Sequence, residues 1–363
     1  MLTHLDDSPW HQLPTTFDHV GTSDPRFFDR LWFAASAPDG SGALQFTMGV
    51  YQNMNVVDGG FVVIRNGRQH NLRVSRRLRP TYQTECGPLR LDVVEPLQRI
   101  CLTVAPNDAA VSAQLDWEAT AAAHEERHHF ARRTGRVVED YSRYDQIGEL
   151  YGWVEVDGER FDIGRWWACR DHSWGVRERV GITEPNTGAP PATGGSFFAF
   201  LFFSTDTHAG HLQSSGRGVG AHFTGMVADR VIGSTSAVGR VGVQATFVDD
   251  GRPRRVDTAV FETVEAGEPV IYDVKRNGSA VAMQGLGYGG YHDGLGLGVF
   301  RGDGHLEFDT WDVSHPALVT LGGGSVQRPV HRIQPVTVRR IQGQNVSHGH
   351  GSLTLVDETS SGA

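Results

Sequence analysis

The chain has 363 residues, of which 42 are acidic and 33 basic, for a formal net charge of -9. That balance excludes a general nucleic-acid binder, which needs a basic footprint, and the length exceeds what one core usually organises, so two domains are expected. Hydrophobic residues make up 39% of the chain, enough for globular cores, and 45 glycines without a collagen-like period imply many turns.

The first seven residues carry neither a basic nor an apolar leader pattern, and the longest strongly apolar run, residues 197–203, is too short to span a bilayer. Cys86, Cys101 and Cys169 have neither metal nor redox spacing, so a cytoplasmic location is the expectation. In chain order, residues 1–30 are polar and interrupted by proline, an arm lying over a first β domain at residues 31–187. Residues 43–52 and 60–65 read as strands joined by a turn at Asp58-Gly59. Asn66-Gly67 then turns the chain into residues 69–78, because Asn and Gly tolerate the left-handed conformations that a two-residue hairpin needs. Asp-Gly recurs at positions 39, 58, 157, 250, 293 and 303, and a second Asn-Gly stands at 277. So many hairpin signals leave little room for strand–helix–strand units, and they predict an all-β sandwich or barrel. Residues 89–94, 99–104 and 112–117 continue the strands, and residues 119–133 are the one segment expected as a helix or irregular excursion. Residues 137–144 return to strand, and 151–156 pair with 160–163 about Asp157-Gly158. The breaker-rich residues 184–195 read as the boundary to a second β domain at residues 188–355, or alternatively as a long loop over a cavity mouth. Its strands are expected at 196–204, 210–216, 225–232, 240–248, 254–264, 270–276, 304–313 and 334–342, before a polar tail at 356–363.

Residues 166–177 bring three tryptophans, two arginines, an aspartate and a histidine into twelve positions. Indole faces offer an apolar wall, and Asp171 and His172 can hold or move a proton. The same residues equally compose a buried ion-pair network that pins two sheets together. In a regular strand Trp166, Ala168, Arg170, His172 and Trp174 share one face, and Trp167, Cys169, Asp171 and Ser173 share the other. Asp171 and His172 then line one cavity only if the strand bulges or ends between them. Otherwise Asp171 acts from behind, as an orienting group. Tyr144 and Gln146 share a face and are candidates to line the cavity beside His172. Arg177 is a candidate to bind a substrate carboxylate or to neutralise Asp171. Tyr291 and His292, in the glycine-dense residues 285–298, are candidate lining residues from the second half.

The run Arg170-Asp171-His172-Ser173-Trp174-Gly175-Val176-Arg177 follows a Tyr144-Asp145-Gln146-Ile147-Gly148 segment and a hairpin from Gly152 to Gly158. In that order it resembles the AttH/CrtC-like superfamily, which includes carotenoid 1,2-hydratases and fungal Diels-Alderases, over residues 40–180. The resemblance implies two lipocalin-like β domains with a hydrophobic ligand held between or within them. It also implies a His-x-Trp pair, matched by His172 and Trp174, and a Tyr-x-Asp pair on a later strand. The apolar run 197–203 holds no carboxylate, and Tyr291-His292-Asp293 has that spacing only much later. Hydratase, cyclase, isomerase and binding functions therefore stay open.

Protonating an isolated double bond needs a carboxylic acid kept neutral by apolar surroundings, and indole faces such as those of Trp174 and Trp166 steady the resulting cation. A pericyclic reaction needs only a shaped apolar cavity, and so does a carrier. His124-Glu125-Glu126-Arg127-His128 matches H-E-x-x-H, which binds zinc when helical. Its polar surroundings lack the apolar inner face of such a helix, so it reads as a solvated segment, with a zinc hydrolase as the remote alternative. The expectation is an all-β, cofactor-independent and metal-free enzyme of two lipocalin-like domains, with Asp171 and His172 catalytic. Trp174, Tyr144, Gln146, Trp166, Arg177, Tyr291 and His292 would bind the substrate. That substrate is a hydrophobic small molecule of terpenoid, carotenoid, steroid or polyketide type, undergoing hydration, elimination, isomerisation or cyclisation. The alternative is a hydrophobic-ligand carrier. No nucleic-acid partner and at most transient membrane contact are expected.

Overall fold

The structure, a computed structural model, describes residues 2–7, 9–133, 135–181, 197–216, 222–248, 254–288, 291, 293, 295–313, 319–320, 326–327 and 331–357. Among them the only helical pieces are three short 3-10 turns, His4–Asp7, Gln52–Met54 and Met283–Leu286, and the rest of the regular structure is strand. No helix among the described residues is long and apolar enough to cross a membrane.

Two large antiparallel sheets carry the chain. The first runs His305–Asp312, Arg68–Arg77, Val56–Arg65, Gly42–Tyr51, Phe27–Ser36, Glu159–Arg177, Arg136–Val156, Val111–Ala119, Arg99–Val104, Leu89–Glu95, Glu85–Cys86. It curls into a half-barrel and stays open. The second runs Glu268–Arg276, Val256–Glu265, Thr235–Phe247, His222–Asp229, His208–Ser215, Phe197–Thr205, Asn345–Asp357, Arg332–Gln342. Here Arg332–Gln342 pairs back onto Glu268–Arg276 and closes an eight-stranded barrel, which removes the free edges. This is the all-β architecture expected from the turn signals, with the two lipocalin-like lobes that the resemblance implies. The strand His305–Asp312 comes from the second half yet pairs with Arg68–Arg77 of the first sheet.

Alternation along the strands builds three large cores and two smaller clusters among the described residues. Phe33, Phe46, Phe61, Leu72 and Trp117 fill the half-barrel. Leu201, Phe203, Leu212, Phe261 and Tyr272 fill the closed barrel. Trp32, Ile147, Trp167, Cys169, Phe200 and Phe202 pack between the two sheets. Residues 197–203 are apolar on both faces for this reason, because alternate phenylalanines enter the barrel and the inter-sheet layer.

The hairpin turns at Asn66-Gly67 and Asp157-Gly158 adopt the expected positive φ at both residues. Two expectations are corrected. Asp58-Gly59 is not a turn but lies inside Val56–Arg65, and the chain reverses instead at the 3-10 turn Gln52–Met54. Asp58 is tolerated mid-strand because its carboxylate is fully buried against Arg30 Nη1 at 2.7 Å and accepts from Gly298 N–H at 2.7 Å. Residues 119–133 hold no helix. This polar stretch has no apolar stripe to bury, and its short strands His124–Glu125 and His129–Arg133 pair along Arg136–Val156 instead. Residues 184–195 and the Asp-Gly at 250 lie outside the described residues.

Candidate functional site

The site is organised by two long neighbouring strands, Arg136–Val156 and Glu159–Arg177, which pair without a register shift from Glu139 to Leu150. Tyr144 stands opposite His172, and Asp145 opposite Asp171. Because no bulge falls at residues 171–172, the alternation expected from the sequence holds. Asp171 and His172 therefore leave the sheet on opposite sides.

The half-barrel face gathers His172, Tyr144 and Trp174. The His172 Nε2 lies 2.7 Å from Asp29 Oδ1, and its Nδ1 lies 3.2 Å from the Tyr144 hydroxyl. The Trp174 ring stands 5.2 Å from the imidazole and is partly exposed. Beside them Arg170 donates to Gln146 Oε1 at 2.6 and 3.0 Å, with its guanidinium against the Trp117 and Tyr144 rings. Gln146 in turn donates to the carbonyls of Leu97 and Ala121. The other expected residues are elsewhere. Trp166 borders an open groove with Gly42 and Phe161. Arg177 covers Phe28. Tyr291 is buried beneath Arg301 and donates to the Val74 carbonyl. His292 lies outside the described residues.

The inter-sheet face holds a denser set of titratable groups. Arg143 Nη2 donates to both oxygens of Glu126 at 2.7 Å, and His129 Nε2 lies 2.6 Å from the same carboxylate. Asp145 sits next to this pair, with Arg143 Nε 3.8 Å from Oδ1. From the barrel, the His211 Nδ1 lies 3.4 Å from Asp145 Oδ2, and His124 places its ring 5.3 Å from that of His211. Asp145 and His211 are 3% and 2% exposed, yet neither Asp145 oxygen nor the His211 Nε2 has a hydrogen-bond partner among the described residues. Both residues line a cavity of about 330 Å³, walled by Ala121–Ala123, Ile147, Phe202, Ala209, Met226 and Ala228, and also bordered by His124, Thr235 and Gln146, the last of which was expected to line a cavity.

Burial and the neighbouring Glu126 push the Asp145 carboxyl well above its ordinary range, with Arg143 acting against them. Burial works in the same direction on Glu126, but Arg143 and the His129 hydrogen bond more than offset it and hold that carboxylate low. Burial lowers His211 to about 4, so its ring is neutral near pH 7. Asp171, on the same face as Asp145, is also raised by burial against the pull of Arg143 and Arg177. The guanidinium is thus committed to Glu126, while burial favours the protonated form of Asp145. The result is a carboxyl whose protonated form is favoured by burial beside an imidazole whose neutral form is favoured by burial, on a largely apolar cavity wall.

Ligand atoms of Glu126, Asp145 and His211 lie within 4.8 Å of one another, a spacing that also suits a cation. Arg143 already occupies Glu126 and opposes a second positive charge there. The H-E-x-x-H histidines are separated: His124 lines the cavity, whereas His128 is exposed against Asp140. Sequence reasoning passed over Asp145, His211 and Glu126 because they come from three segments that only the packing of the two sheets unites. The one local signal was Asp145 on the strand face that also carries Arg143 and Ile147.

A family model described as a family of unknown function, DUF8625, matches residues 2–345, so the chain belongs to that family. Comparison with the curated proteins gives no match. Among solved structures, a protein assigned as AttH from Nitrosomonas europaea is 13% identical, with 96% of this chain and 98% of that chain covered, at a TM-score of 0.50. Kievitone hydratase from Nectria haematococca is 10% identical over 91% and 89% of the two chains, at a TM-score of 0.49. CghA with Sch210972 is 12% identical over 93% and 90%, also at 0.49. The AttH comparison bears out, as a likeness of fold, the resemblance to the AttH/CrtC-like superfamily read from residues 40–180.

Proposed function

We propose that this member of the DUF8625 family is a cofactor-independent acid–base enzyme that works on an apolar small molecule in the inter-sheet cavity. One observation carries the reading: a buried carboxyl, with neither oxygen hydrogen-bonded among the described residues, and a buried imidazole with a free Nε2 face a cavity walled mainly by alanine, isoleucine, phenylalanine and methionine, with His124, Gln146 and Thr235 as its other polar residues. A polar group that costs stability to bury and is left without a well-formed hydrogen bond fits a role in chemistry. Asp145, protonated, donates its proton to a double bond or to a departing hydroxyl. The Phe202 ring on the cavity wall steadies positive charge as it develops. His211, neutral, then removes a proton from the neighbouring carbon, giving isomerisation or elimination, or steers a water onto the cation, giving hydration. In each case the proton leaves Asp145 and one returns to the pair, so no external oxidant or cofactor enters.

Of the residues expected from the sequence, Asp171 belongs to this reading as the second raised carboxyl on the same face. It keeps the local charge from favouring an ionised Asp145. His172, Tyr144 and Trp174 lie on the opposite face and are assigned no step. The cavity is at the small end of ligand sites, which span roughly 300–1,000 Å³, and so favours a compact terpenoid or polyketide over a whole carotenoid.

Deuterium exchange tests the proposal. The purified protein is incubated in heavy water with panels of unsaturated terpenoids and polyketides, and the recovered molecules are weighed by mass spectrometry. Incorporation by the wild type and its loss in Asp145→Asn are expected. A molecule that binds tightly but never exchanges would leave a carrier and overturn the enzyme reading.

A further inference from the structure

Two turns adjoining segments that line the cavity present aliphatic side chains. On one side Met226, Ala228 and Thr235 line the cavity. The turn joining their strands, residues 229–234, carries Val231 and Ile232 at 76% and 73% exposure. That turn is fixed: Asp229 Oδ1 accepts from the N–H groups of both Val231 and Ile232, and Gly233 N–H donates to the Asp229 carbonyl. On the other side Ala121–Ala123 line the cavity, and the Gln146 amide ties Ala121 to Leu97 by donating to both carbonyls. Leu97 is 46% exposed at φ +60°. Leucine is disfavoured there, since a left-handed turn position suits glycine or asparagine. Neither turn geometry nor burial accounts for an aliphatic side chain at any of these three positions.

We propose that the rim formed by Leu97, Val231 and Ile232 docks on a lipid bilayer containing anionic lipid, with the cavity mouth turned toward the acyl phase. Arg230 supplies the charge complementarity. It precedes the two aliphatic residues, is exposed, and forms no salt bridge among the described residues, its Nη1 donating only to the Thr205 carbonyl. A cation beside ordered aliphatic side chains is the chemistry of an interfacial anchor. An apolar molecule would pass from membrane to cavity without crossing water. This inference rests on the reading that the cavity takes an apolar molecule, but its test does not use turnover.

Flotation with phosphatidylcholine vesicles, with and without phosphatidylglycerol, reads the docking directly. The wild type is expected to float with the phosphatidylglycerol vesicles, and less so as salt rises. The double variant Val231→Ser/Ile232→Ser should lower the bound fraction about tenfold, since two aliphatic side chains no longer enter the interface. Leu97→Asn should also lower it while leaving the melting temperature unchanged or higher, which separates docking from folding. A wild type that floats with neither vesicle, or a double variant that floats as well as wild type, overturns the proposal. So does a concentration-dependent dimer that the double variant abolishes, because the occupant is then a second copy of the chain. If vesicle binding behaves as expected while no molecule exchanges deuterium, the enzyme reading fails and the docking stands.

Discussion

Replacing Asp145 by asparagine keeps the side chain's shape and removes its ability to ionise, which makes the substitution a measure of what the folded protein spends to hold that carboxyl neutral. Burial and Glu126 raise it above the ordinary value of 3.8. Between that value and the folded one, the native protein binds a proton that the unfolded chain has released. Stability therefore falls as pH rises through this window and stays reduced above it. Each pH unit of the window is worth about 1.4 kcal/mol. Asparagine has no such dependence, so Asp145→Asn should gain on the wild type above the window and show almost no difference below it. In thermal melts the gain should be about 2 °C per kcal/mol or slightly less for a chain of this length. A variant inactive in deuterium exchange yet more stable near neutral pH is the expected pairing. The reasoning is refuted if Asp145→Asn instead loses about 3–5 kcal/mol throughout the pH range, the signature of a broken buried ion pair. Asp145 would then be an ionised partner of Arg143.

Glu126→Gln removes the charge that Arg143 and His129 address, and should destabilise the protein by about 3–5 kcal/mol. Arg143, already 3.8 Å from Asp145, should then pull that carboxyl down, and an infrared carbonyl band from the protonated acid present in the wild type should disappear at neutral pH. An unchanged band would show that Glu126 does not set the protonation of Asp145. His172→Ala should leave deuterium exchange largely intact, because the ring points away from the cavity, and should cost at most about 1 kcal/mol for its exposed contact with Asp29. Loss of exchange would move the chemistry to the half-barrel face. Gly152 has φ +123° at the shift in register beside Leu150, and a Cβ there would collide with the Gln114 carbonyl. Gly152→Ala should cost at least about 3 kcal/mol in denaturant melts.

The sheets were legible wherever the signal was local. Asn66-Gly67 and Asp157-Gly158 specify their turns through their own backbone freedom, and the strict alternation from Trp166 to Trp174 sorted those side chains correctly onto two faces. Asp58-Gly59 misled because a turn-forming dipeptide can sit inside a strand when Arg30, distant in sequence, neutralises the aspartate. The inter-sheet cluster was illegible for the same reason on a larger scale. Glu126, Asp145 and His211 have no common spacing or motif, and their juxtaposition is a property of how the half-barrel docks on the barrel.

The borrowed edge strand His305–Asp312 has a consequence for synthesis. Arg73, almost wholly buried, meets Glu307 at 2.7 Å and Asp309 at 3.1 Å, both on that strand. While the ribosome is still making the barrel, the half-barrel carries a cation in its sheet with these counter-charges not yet translated, and an edge open to other chains. Its completion must wait until nearly the whole polypeptide has emerged. Genetic truncations that end before residue 305 should therefore fail as a folded unit, and chaperone dependence should concentrate on the N-terminal half of the nascent chain.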